Sequence, residues 1–597
     1  MSLRQTIRGM FWFFLIVVLA NYEVGEGASV QTLYVCNTRP YSQCPDKSYP
    51  TLSDAVNAAG RRATRIILLE DTEGTTIPST SNILGLYANR HIVSTPIVVE
   101  KTRLKTMDIV GIRFKAKSGK DNILDMKGGV EASIIDNCLE GGSVAISSRD
   151  GGMRLENNLF LENTTSLVLN KVGLKSRGDS FYGIKRTVTD ITKRNARFAE
   201  TTIAKVGGSS SAAIKVSDGL VVFNGLDVSD VEAFALFGLY GKTTGLTIVG
   251  SQIYNNSNLP LLIYIFAVME DIRHLKIKDT IIKDNAGGVL FATPQEYPET
   301  IEVNGLYADM NDGHFAKPEA LTARTSISIQ DSLITGNGKV NGRAHFIAPS
   351  FYSSGSNLMN FGGFEFNTHE KLLIESSIME AVVTKQYMNI SSKSTNFTGV
   401  KMLLGEDSSM VFDPPLGEAT LKGVYTDFSY IDASNLSQLS ITEGTFMNGF
   451  GLELALAGGN SLELNDFDVP SGGLSFEVSG HPVTARNNIF RPVVGFSRGG
   501  VVGGIPTADF SSNYWGEEGG DMDAQRQVCT NNNVNCNDPL ASKPAVPQPK
   551  YSELVMRDVV PRSPRKECAA LRPETKEYIS ATFGGDPFKM VQEEEER

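Results

Sequence analysis

The sequence predicts an all-β fold, a right-handed parallel β-helix of about 16 coils with a short N-terminal capping helix and a small C-terminal tail. Three observations lead there. First, a six-residue unit, apolar at both ends with four mostly polar or small residues between, recurs along the chain. It reads IVGIRF at Ile109, IIDNCL at Ile134 and LENNLF at Leu155; FNGLDV at Phe223, IVGSQI at Ile248, IKDTII at Ile277, VNGLYA at Val303 and IQDSLI at Ile329; and ITEGTF at Ile441, LNDFDV at Leu464, ARNNIF at Ala485 and FSSNYW at Phe510. Within each of these three groups the spacing is 21–29 residues. Second, the apolar slots hold Ile, Val, Phe, Leu and Ala interchangeably and no amphipathic helix separates the units, which excludes leucine-rich repeats. Third, Gly, Asn, Asp and Ser punctuate short β-branched runs, the mark of strands joined by tight turns. The gaps at 160–223 and 334–441 read as coils blurred by insertions.

Taken in chain order, residues 1–27 read as a cleaved signal peptide. Arg4 and Arg8 precede the apolar run Met10 to Ala20, and Gly25 and Gly27 suit the cleavage site. The run is shorter than the ~20 residues a membrane-spanning helix needs, so the expectation is an exported protein without stable membrane insertion. Residues 28–65 form an N-terminal segment. Within it TLSDAVNAAG, 51–60, predicts the capping helix: Thr51 with Asp54 resembles a capping box, Leu52, Ala55, Val56 and Ala59 make one apolar face, and Gly60 suits the C-terminal cap. The β-helix itself spans 66–520. Each apolar–Asn–apolar unit is one corner of one coil, because Asn tolerates left-handed backbone and its amide can bond local backbone or a stacked Asn. Residues 521–550 hold a Cys-bearing end segment and a Pro-rich linker, and 551–597 a tail, partly helical or disordered, ending in solvated EEEER.

Six cysteines fit an oxidising compartment. Cys36 with Cys44 and Cys529 with Cys536 are each close enough in sequence to close a small loop, Cys138 at an apolar repeat position reads as a buried thiol, and Cys568 has no assignment. Sequons beginning at Asn163, Asn255, Asn389, Asn396 and Asn435 would accept glycans in a eukaryotic cell. A net charge of −11 argues against a nucleic-acid partner.

YPTLSDAVNAAG at 49–60 resembles the strand-and-capping-helix opening of pectinesterases, and SSNYWGEEGG at 511–520 is similar to the N-W-W-G-x-x-x-G coil that closes many parallel β-helix domains. On these residues the chain resembles the pectin-lyase-like superfamily over roughly 49–520. The resemblance implies the architecture and a leaning toward carbohydrate. The family's catalytic motifs do not stand here: the polygalacturonase N-T-D, D-D, G-H-G and R-I-K series, D-P-H-D of alginate epimerases, Q-D-T-L of pectinesterases and W-x-D-H of pectate lyases are missing.

Candidate site residues are therefore taken from local chemistry. Asp466 and Asp468 in LNDFDV project from one strand face about 6.6 Å apart, a spacing compatible with paired carboxylates for glycoside hydrolysis. Glu517, Glu518, Asp521 and Asp523 could gather oxygen ligands for Ca²⁺ if the protein is an enzyme; otherwise no cofactor is expected. RGDS at 177–180 is a possible receptor motif, and Tyr254, Phe351, Tyr352 and Tyr430 are candidate sugar platforms. The expectation is a secreted protein with a binding or structural role at a cell, wall or particle surface, its partner a polysaccharide, a glycan or a surface protein. The alternative is an enzyme acting on acidic polysaccharide, a lyase, epimerase or glycoside hydrolase.

Overall fold

The computed structural model describes residues 30–37, 44–94, 96–100, 106–241, 245–256, 258–259, 261–266, 274–285, 289–293, 300–309, 316–318, 326–336, 344–361, 363–381, 387–405, 408–413, 417–427, 430–447, 451–453, 460–468, 475–477, 483–491, 508–515, 534–548, 550–551 and 553–589. The expected signal peptide and the EEEER terminus lie outside them. The described residues form an all-β parallel solenoid with two helices, α1 (Leu52–Ala59) and α2 (Pro573–Phe583). Packing divides the chain into a smaller unit, residues 1–159 with 567–597, and a larger one, residues 160–566.

In the smaller unit α1 begins as its sequence dictates. The Thr51 hydroxyl accepts from the Asp54 N–H at 3.1 Å and donates to the Asp54 carboxylate at 2.6 Å, satisfying one of the helix's orphan donors. Leu52, Ala55, Val56 and Ala59 are its buried face. The strands that follow stack in parallel, Leu33 on Ile66, Ile66 on Leu86, Leu86 on Ile109, Ile109 on Ile134 and Ile134 on Leu155. All six side chains are buried. Each rung pairs its backbone with the next and points one apolar residue at the axis.

The larger unit repeats this register. Phe223, Ile248, Ile277, Val303 and Ile329 stack in turn, as do Leu421, Ile441, Leu462 and Ala485. The two long sequence gaps are not blurred by insertions. Ser176 and Phe198 lead into Phe223, and Ser353, Ile374 and Phe397 carry the register from Ile329 to Leu421 at ordinary spacing. Buried serines stand at the axial position in two of these rungs, so an apolar template passes over them. The expected count of about 16 coils is corrected accordingly: the larger unit alone completes about 14 turns between Ser176 and the strand Ala508–Asp509.

The corners explain the apolar–Asn–apolar unit by two adjacent jobs. One residue adopts the left-handed conformation: Asp136, Asn157, Asn487 and Ser512 have φ of 50–58°. The next is buried and bonds along the stack. Asn465 donates its N–H to Asn488 Oδ1 at 3.0 Å, and Asn488 repeats the bond to Asn513 at 2.9 Å. Their amide nitrogens reach Ile441 O and Leu462 O, both at 2.9 Å. Asn137 and Asn158 do the same in the smaller unit. Aromatic rings reinforce the stack where they recur at one position, as in Phe446, Phe467 and Phe490 at centroid spacings of 5.0 and 5.3 Å.

The C-terminal region is not a free tail. In the larger unit, as the chain runs from 540 to 566, its partners descend through the rungs. The Leu540 N–H meets Asn513 O, the Arg557 guanidinium lies 4.2 Å over Tyr307, Val560 exchanges two hydrogen bonds with Gln252, the Arg562 N–H meets Asp227 Oδ2, and Lys566 lies over Tyr182. Passing some 14 rungs, about 67 Å, in 26 residues requires a nearly extended backbone. In the smaller unit residues 567–589 continue along the rungs and contain α2.

Cysteine pairing corrects one expectation and meets another. Cys36 and Cys44 are bonded, as their spacing predicts, with Cα atoms 5.9 Å apart. Cys138 is not a buried thiol but is joined to Cys568, 430 residues away. Its register partner is the outward-facing Arg113, while Leu139 pairs with the inward Phe114, so Cys138 faces out and owes its burial to the C-terminal segment. Cys536 is disulfide-bonded, and its expected partner Cys529 lies outside the described residues.

Candidate functional site

Along one side of the smaller unit, four strands run in register: Thr76–Ile77, Ile97–Val99, Asn122–Met126 and the start of Val144–Glu156. Alternation sends Ile77, Val99, Met126 and Ser148 to the axis and leaves Thr76, Val98, Asp125 and Ser147 outside. The residues after Val99, Met126 and Ser148 close the row. These are Glu100, Lys127 and Arg149, with Asp150 next along the chain. Together with Ser79, Asn122 and Gly128 they line a groove of about 700 Å³. Lys127, Arg149 and Asp150 are exposed, and Glu100 and Asp125 are half-buried.

Gly151 follows the lining residue Asp150. Its φ is +117°, and a Cβ there would stand 2.4 Å from Val130 O, so no other residue fits without moving the rung below. What the groove offers is hydrogen bonding of every kind: carboxylates that accept, an ammonium and a guanidinium that donate, and hydroxyl and amide groups that do both. A charged side chain stands on each of three successive rungs about 4.8 Å apart, which suits an extended polar chain better than a compact apolar ligand. No family model, curated protein or solved structure matches the chain.

The residues singled out from sequence lie elsewhere. Asp466 is largely buried in the strand Asp466–Asp468 and stands 3.3 Å from Lys543 Nζ, which makes it part of the attachment of the C-terminal segment. The Asp468 side chain and Glu517, Glu518, Asp521 and Asp523 lie outside the described residues. Asp179 of the RGDS motif is fully buried and accepts from Ser176 Oγ at 2.6 Å, leaving no carboxylate for a receptor-bound cation.

Of the aromatic candidates, Tyr254 and Phe351 are buried, and Tyr254 donates to Asp227. Tyr352 and Tyr430 are half-buried. Among the described residues Phe234 is an exposed aromatic, 40 % accessible and edge-on to Tyr264 at 4.9 Å. Among the sequons, Asn255 is exposed and Asn389, Asn396 and Asn435 are half-buried. Asn163 is fully buried, where a glycan is incompatible with the packed rung.

The groove escaped sequence analysis because its residues face outward, where nothing in the apolar repeat marks them. A signal was present. Glu100, Lys127 and Arg149 follow one another at 27 and 22 residues, within the repeat period.

Proposed function

We propose that the protein is an exported β-helix of pectin-lyase-like type with a binding or structural role at a cell, wall or particle surface, and that it holds a polysaccharide or glycan in the groove of the smaller unit. The groove itself carries the reading: charged side chains stand on three successive rungs, Glu100, Lys127 and Arg149, with Asn122, Ser79 and Ser147 beside them along an open, polar surface. Lys127 and Arg149 give it a face for acidic sugars, and Glu100, Asp125 and Asp150 accept from sugar hydroxyls.

Retention on immobilised uronic-acid and neutral polysaccharides, with and without Ca²⁺, tests this. The wild type is expected to be retained on at least one of them without generating 4,5-unsaturated or new reducing ends. Lys127→Ala with Arg149→Ala is expected to weaken retention on an acidic chain about tenfold or more, since two charge-assisted contacts are lost. Retention that is unchanged in the double variant moves binding away from the groove. Release of either product converts the reading to the polysaccharide-active enzyme.

A further inference from the structure

Helix α2 covers an apolar patch on the outside of the smaller unit. Tyr87, Val110 and Ile135 stack on one another, one residue past the axial Leu86, Ile109 and Ile134, so they face outward. Outward apolar side chains on a solenoid are ordinarily wet. These three are buried, because Leu571 and Ile579 pack on them with Tyr578, Phe583 and Phe588 around the edge. Under the helix, Tyr87 and Tyr578 both donate to Asp108 Oδ2, at 3.0 and 2.9 Å. Around its rim the Arg572 N–H meets Asp136 Oδ2, Arg572 Nη1 meets Asn157, and Arg90 donates to Ala569 O.

We propose that residues 567–589 are a lid locked shut by the Cys138–Cys568 disulfide, and that reduction by a dithiol releases the lid and uncovers Tyr87, Val110 and Ile135. Two features make the lock decisive. No described residue of 567–589 pairs as a strand with the rungs, so the lid is held by side chains, single hydrogen bonds and the disulfide. An 11-residue helix is marginal alone and depends on its docked face. The disulfide ends five residues before Pro573, a tether short enough to keep the helix at high effective concentration over its patch.

The chemistry is thiol–disulfide exchange. One thiolate of the dithiol attacks Sγ of the half-exposed Cys568, the S–S bond breaks, and the buried Cys138 leaves as a thiolate that takes up a proton. The second thiol of the reductant then closes on the mixed disulfide and expels Cys568. Two electrons and two protons pass from the dithiol to the cysteine pair, and the reductant ends as a cyclic disulfide.

Hydrogen exchange of the full chain tests the lock, read on the α2 peptide and on rung peptides covering 130–135 and 144–156. Three samples are compared: oxidised protein, the same folded protein after dithiothreitol, and Cys568→Ser. Cys36→Ser with Cys44→Ser reports any contribution of the Cys36–Cys44 bond, and Cys568→Ser opens the lock while leaving the bond at Cys536 in place. The α2 amides are expected to exchange about tenfold faster or more after reduction and in Cys568→Ser, with the rung peptides unchanged and the Cys36/Cys44 variant like the oxidised wild type. Equal protection of α2 in oxidised and reduced protein overturns the proposal, as does acceleration of α2 and the rungs together. Reducing the already folded wild type keeps the test valid if Cys568→Ser does not fold.

Discussion

Leu155→Asp is expected to unfold the rungs around it, at a cost of about 4 kcal/mol. Leu155 is 1 % exposed and stacks on Ile134, itself fully buried. The substitution removes a packed side chain and places a carboxylate on the axis with no cation or donor built to receive it, so the apolar loss and the cost of an unpaired buried charge add. Denaturant unfolding followed by hydrogen exchange of residues 130–135 reads the effect. Aspartate at Glu156, one residue on and facing the other way, is the control and is expected to change stability by less than about 0.5 kcal/mol. Similar losses at both positions would mean that the inward and outward faces are wrongly assigned.

Asn488→Ala is expected to destabilise the C-terminal rungs by about 3 kcal/mol. The Asn488 side chain accepts from both the N–H and the amide of Asn465 and donates to Leu462 O. Its loss therefore strands two buried donors and one buried acceptor in a place water does not reach. The neighbouring Asn487 separates the corner's two jobs, because its φ of 57° asks only for left-handed backbone. Asn487→Gly should be close to neutral, and Asn487→Val clearly destabilising. Thermal or denaturant midpoints of the three variants give the ranking. A cost for Asn488→Ala no larger than that of Asn487→Gly would show that the ladder contributes nothing.

These two sites also show where the fold was legible. The axial residues could be read because their period follows from the geometry of a coil, and α1 because its cap and its apolar face are both local. The corner Asn could be read too, although its two jobs fall on adjacent residues that the sequence presents as one Asn-rich run. Ser176 and Ser353 could not, since a polar residue at an axial position is recognised only by the residues stacked above and below it. Cys138 was misread by one position: in IIDNCL the inward residue is Leu139, and a one-residue slip in a strand exchanges its faces. Nothing local marks the return of the C-terminal segment. Its attachments, such as Arg562 to Asp227 and Cys568 to Cys138, join residues more than three hundred positions apart with no period to expose them. The groove lay hidden for a related reason, as outward residues are free of the apolar pattern that makes the rungs readable.

The most direct test of the account is a distance that depends on rung number and not on sequence separation. Thr247 and Thr420, both half-buried, occupy the same outward-facing row of the larger unit, linked in register through Lys276, Glu302, Ser328, Tyr352, Leu373 and Asn396, seven steps in all. With spin labels at Thr247→Cys and Thr420→Cys, pulsed electron–electron distance measurement should give a narrow distribution near 34 Å, about 4.8 Å per step. Moving the second label to Ser440→Cys or Ser461→Cys, one and two steps further, should lengthen it by that increment each time. A broad distribution, or distances that do not grow step by step along the row, would contradict the parallel stack.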